Sequence, residues 1–142
     1  TMNRTISEYF TLLKELSELD SNDCKGFSNE FGHFYALAYG EILSKTELKY
    51  RYGRESMSDT NRIELIEHYI VPAIFYLIKR RGWAIEIKND IVEIQGGYQY
   101  GVCVIRDEKR FYNFQLEGLG LALLSAYVDA LKDDVERLCN GS

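Results

Sequence analysis

Glu86-Ile87-Lys88 is the stretch of this sequence with the clearest capacity for chemistry. It lies where Trp83, Ile85 and Ile87 alternate with Ala84, Glu86 and Lys88, a period of two that predicts a strand with one dry side. Residues two apart on a strand share a face. A carboxylate there can hold a divalent cation while the neighbouring ammonium positions a water or a phosphate. With Glu93 as a further acid, these residues would make a metal-assisted phosphodiesterase site. The competing expectation is an exposed strand face on which Glu86, Lys88 and Glu93 form ordinary cross-strand charge pairs.

The Glu-x-Lys spacing resembles half of the nuclease motif of the restriction-endonuclease-like fold, which implies a metal-dependent nuclease using Glu86 and Lys88. The resemblance covers three residues. That family's pattern also places an acid at the end of a preceding, neighbouring strand. Here the preceding segment reads as a helix, and Asp59, Glu64 and Glu67 lie before or within it.

Two basic runs suggest a different chemistry. Lys49-Tyr50-Arg51-Tyr52-Gly53-Arg54 interleaves cations with aromatic rings, and Lys79-Arg80-Arg81 follows a long apolar run. On one surface, Lys49, Arg51, Arg54, Lys79, Arg80 and Arg81 could track a phosphate backbone while tyrosines stack on bases. The formal charge of −5 and pI near 5.1 argue against that reading and favour a partner that is itself a protein, with a basic surface best matched to the excess of acids.

Aromatic residues carry the main expectation. Eleven tyrosines in 142 residues exceed what one small core needs to hide, and tyrosine rings are favoured where proteins meet. The alternation near the end of the chain predicts an exposed row including Tyr98, Tyr100 and Tyr112, with Tyr50 and Tyr52 as further partner-binding candidates.

Other sites are weaker. His33 and His68 lack the spacing of a local zinc motif. Cys24, Cys103 and Cys139 are an odd, dispersed set without a CxxC, as in a reducing compartment, and Cys103 sits in an apolar run that predicts burial. Gly96-Gly97 and Gly118-Leu119-Gly120 lack the rest of a phosphate-binding or dinucleotide fingerprint, so no metal or cofactor is assigned.

The elements that would position these residues read as ααα-ββββ-α. Ile6, Tyr9, Phe10, Leu13 and Leu16 recur at helical spacing before the polar stop Asp20-Ser21-Asn22-Asp23. A second helix is expected from about Ser28 to Tyr50. A third is capped near Ser58–Thr60 and carries Pro72 inside its pattern, which predicts a kink or a junction. Strands are then expected at Trp83–Lys88, Ile91–Gln95, Tyr98–Arg106 and Arg110–Leu116, with Asn89-Asp90 as the first turn, before a helix ending near Leu138.

The expected fold is thus a single α+β domain over 1–142: three N-terminal helices, a four-stranded antiparallel meander and a C-terminal helix packed on the sheet. The longest apolar run, Tyr69–Ile78, is about 10 residues, half of the roughly 20 needed to span a bilayer. The expectation is a cytoplasmic, acidic protein-interaction module (inhibitor, immunity-type or adaptor) without catalysis or membrane contact, and compatible with a homodimer.

Overall fold

The computed structural model describes residues 4–20, 59–92, 97–115 and 118–140, in the order α1 (Arg4–Leu19), α2 (Asp59–Arg80), β1 (Ala84–Val92), β2 (Gly97–Arg106), β3 (Lys109–Gln115) and α3 (Leu119–Cys139). It divides into two compact units, Thr1–Ala73 and Ile74–Ser142. In the first, α1 buries Tyr9, Leu13 and Leu16, spaced four and three apart as a helix stripe requires, and α2 buries Ile70 and Ala73. Pro72 does not split α2, which is one helix from Asp59 to Arg80.

The second unit begins with the end of α2. Gly82 adopts φ +76°, which lets its amide donate to the Lys79 carbonyl and the Trp83 amide to the Ile78 carbonyl. These two bonds are the Schellman termination, which a glycine beyond the helix end permits without strain. The chain therefore leaves α2 and enters β1 within three residues, with Trp83 fixed at the junction.

β1, β2 and β3 form an antiparallel meander in that spatial order. Its register pairs Glu86 with Cys103 and Cys103 with Tyr112 on one face, and Ile85 with Val104 and Val104 with Phe111 on the other. α3 packs on β2 and β3. Val102 and Val104 are buried on the second face, while α3 buries Leu121, Ala122, Leu123, Leu124, Ala126, Tyr127, Val128, Ala130 and Leu131. Burial at so many consecutive positions makes the first half of α3 the centre of this unit's core. Val135 and Leu138, which continue the stripe in the sequence, are exposed.

This corrects the expected architecture in two respects. The sheet has three strands, because Asn89 and Asp90 do not turn: they continue β1 and pair with Tyr100 and Gln99. A two-residue hairpin turn favours positive φ, which glycine supplies cheaply and neither Asn89 nor Asp90 does as readily. Val92 instead pairs with Gly97, and Ile91 and Val92, expected to open a separate second strand over Ile91–Gln95, are the end of β1; the rest of that expected strand lies outside the described residues. The described residues also hold three helices in all, two before the sheet and one after it, rather than three before it. The helix expected over Ser28–Tyr50 lies outside the described residues.

Asp107 and Glu108 connect Arg106 to Lys109, with Asp107 at φ 57°. Left-handed backbone costs an L-residue free energy that glycine avoids. Asp107→Gly is therefore expected to raise stability by about 0.5–1 kcal/mol in urea unfolding, with an unchanged dependence on denaturant.

Candidate functional site

The sheet has one face under α3 and one face turned away from it. On the outward face the register aligns Glu86 and Lys88 of β1, Gly101, Cys103 and Ile105 of β2, and Arg110, Tyr112 and Phe114 of β3. Tyr112 and Phe114 are 56% and 58% exposed, and their rings are parallel with centroids 6.5 Å apart. Residues i and i+2 of a strand stand at about that separation, so the two rings form a continuous aromatic strip along β3.

Gly101 sits opposite Phe114 and explains how that ring is supported. A Cβ added at Gly101 would lie 3.0 Å from Cε1 of Phe114 and 3.1 Å from Cδ1. The ring therefore leans across bare β2 backbone instead of standing into solvent. Cys103, opposite Tyr112, is buried at the foot of the strip.

Charges at the rim are already matched. Arg110 Nη1 donates to Glu86 Oε2 at 3.1 Å across the three strands and lies 3.9 Å from the Cys103 sulfur. The Glu86 carboxylate, first through its hydrogen bond, raises the Arg110 pKa, so this guanidinium is held protonated still more firmly.

Behind the sheet a second cluster secures α3. Arg106 ends β2 and is 5% exposed. Its Nη1 donates to the Ala130 carbonyl at 3.0 Å and its Nη2 to Asp133 Oδ2 at 2.5 Å, with Asp134 Oδ1 at 3.7 Å from Nη1. The guanidinium also lies 5.9 Å from the Trp83 ring centroid and 5.5 Å from that of Phe111, within cation–π range, while Nε makes no hydrogen bond. Lys109 donates to the other Asp133 oxygen at 2.6 Å. Hydrogen bonds from Lys109 and Arg106 hold the Asp133 carboxyl below its usual range.

The residues singled out in the sequence are placed as follows. Glu86 and Lys88 share the outward face, with Glu86 engaged by Arg110. Among the described residues, no group of three His, Cys, Asp or Glu could hold a metal ion. The Glu93 side chain lies outside the described residues, as do Lys49, Tyr50, Arg51, Tyr52 and Arg54. Lys79 and Arg80 are exposed at the end of α2. Arg81 is spent structurally: its Nε donates to the Tyr127 hydroxyl at 3.0 Å, and its guanidinium lies 5.3 Å from the Trp83 ring centroid.

Tyr100 and Tyr112 do not form one row. Tyr100 pairs with Gln115 and Tyr112 with Cys103, positions of opposite parity, so the two tyrosines lie on opposite faces of the sheet. The Tyr98 side chain lies outside the described residues. Tyr112's neighbour on the outward face is Phe114, which is not among the partner-binding tyrosines expected from the sequence. No protein-family model, curated protein or solved structure matches this chain. No described helix is long and apolar enough to cross a membrane.

Two substitutions separate the parts. Gly101→Ala is expected to stabilise by about 0.5–1 kcal/mol in a Phe114→Ala background and to lose that gain when Phe114 is present, as a double-mutant unfolding cycle would read. Arg106→Met should cost about 3 kcal/mol, because the Ala130 carbonyl and Asp133 lose a donor together. Asp133 has a depressed folded pKa. Its stabilisation is therefore present above the ordinary carboxylate range near pH 4 and lost as pH falls through the lower folded value. Unfolding curves of Asp133→Asn and the native chain should thus differ most at neutral pH and converge in acid.

Proposed function

We infer that this chain is a non-catalytic protein-interaction module, of the inhibitor, immunity or adaptor type, whose contact surface is the outward face of its three-stranded sheet. The parallel Tyr112–Phe114 strip carries the reading: two large rings, each more than half exposed, lie on the face opposite α3. Exposed aromatics of this kind supply contact area at low conformational cost and commonly anchor interfaces. Around them the Glu86–Arg110 pair and Lys88 make a polar rim, the usual surround of an apolar centre. This face mixes both charge signs, so its partner is selected by aromatic packing more than by the chain's overall acidity. Free thiols at Cys103 and Cys139 fit a reducing, cytoplasmic setting.

The test is recovery of the full chain from its own cells with intact-complex mass measurement, followed by titration of the recovered complex. Tyr112→Ser/Phe114→Ser is expected to weaken that complex at least tenfold, equivalent to about 1.4 kcal/mol, with the unfolding midpoint kept. Unchanged affinity in the double variant would remove this face from the function. A metal-dependent phosphodiesterase activity abolished by Glu86→Gln would replace the reading with an enzymatic one.

A further inference from the structure

Asn140-Gly141 is the one Asn-Gly step in the sequence, and it falls where α3 stops. The Asn140 amide donates to the Glu136 and Leu138 carbonyls and so closes the last turn, with φ −85° and ψ 7°. The residue is exposed. Its ψ torsion sets the direction of the Gly141 nitrogen and can turn without breaking either of those bonds. Gly141 itself lies beyond the described residues.

An asparagine carboxamide is attacked most readily when glycine follows it. The attacking nitrogen is then unshielded by a Cβ, and the glycine backbone reaches conformations closed to other residues. The other asparagines of the described residues lack these conditions. Asn61, Asn89 and Asn113 are followed by Arg62, Asp90 and Phe114. Asn61 lies within α2, and Asn89 and Asn113 lie in paired strands, where regular hydrogen bonding fixes ψ. The Asn113 carboxamide is engaged as well, its Oδ1 accepting from Gln115 Nε2 at 2.8 Å.

We propose that Asn140 is a site of spontaneous deamidation through a succinimide formed with the Gly141 nitrogen. That nitrogen gives its proton to solvent base and forms a bond to Asn140 Cγ, while the bond from Cγ to the side-chain nitrogen breaks and ammonia leaves. Water then opens the ring. Attack at Cγ breaks its bond to the Gly141 nitrogen and gives aspartate; attack at the backbone carbonyl carbon gives isoaspartate. Water is the only co-reactant. The product carries one negative charge beyond the present −5. Its carboxylate stands at the negative end of the α3 dipole, three residues from Arg137, whose Nη2 donates to Asp134 Oδ1 at 2.9 Å. The reaction does not depend on the outward face being a contact surface.

The full chain, kept folded in warm, mildly alkaline buffer, is followed by isoelectric focusing, intact mass and peptide mapping. A species one charge more acidic is expected to accumulate with time, its mass changed by the exchange of an amide NH2 for OH. Mapping should place the change at residue 140, as aspartate and isoaspartate together, with Asn89 and Asn113 intact. Gly141→Val is expected to slow the conversion about tenfold or more, because a branched side chain shields the attacking nitrogen. Asn140→Gln should abolish it over the same period, since its cyclisation needs a larger ring. An amide at 140 that survives unchanged overturns the proposal. So does conversion at Asn89 or Asn113 as fast as at Asn140, which would deny the helix end any special role. Equal rates with glycine and valine at 141, or aspartate without isoaspartate, would overturn the succinimide route.

Discussion

One buried cation ties the second unit together. Arg106 ends β2, bonds α3 at Ala130 and Asp133, and lies against Trp83 at the entry to β1 and Phe111 on β3. Two strands, the residue that leads into β1 and the covering helix thus meet at one guanidinium. Burying a charge is costly, and replacing a whole buried ion pair, cation and carboxylate together, with apolar residues often costs nothing, so the pair's value lies more in fixing one arrangement than in net stability. It fixes which face of the hairpin lies under α3. The opposite face, with Tyr112 and Phe114, is thereby turned outward.

Much of this was legible in the amino-acid order. Tyr9, Leu13 and Leu16 announce α1 by spacing, and the stripe through Ile70, Ile74, Leu77 and Ile78 announces α2 despite Pro72. Gly82 marks where period 3.6 gives way to period two. Asn89-Asp90 misled because its residue types suit turns. Strand pairing with Tyr100 and Gln99 outweighed that local preference, a tertiary override that no short window of sequence displays.

The outward face was less legible because it depends on parity. Tyr98, Tyr100 and Tyr112 look like one row only until the hairpin turn is fixed. Once Arg106 pairs with Lys109, Tyr100 and Tyr112 fall on opposite sides. Arg106 escaped notice for a related reason: beside Asp107-Glu108 it reads as a turn residue exposed to water. The available signal was Asp133-Asp134 in the last helix, two adjacent acids in need of a cation.

Gly101 and Phe114 also constrain how this sequence can drift. The ring occupies space that any side chain at 101 would claim, so neither position is free to vary alone. A lineage that lost the phenylalanine could refill the glycine, while one that first enlarged the glycine would lift the ring off its seat and change the contour shown to solvent. The two sites, thirteen positions apart in the chain, should therefore be inherited as a linked pair.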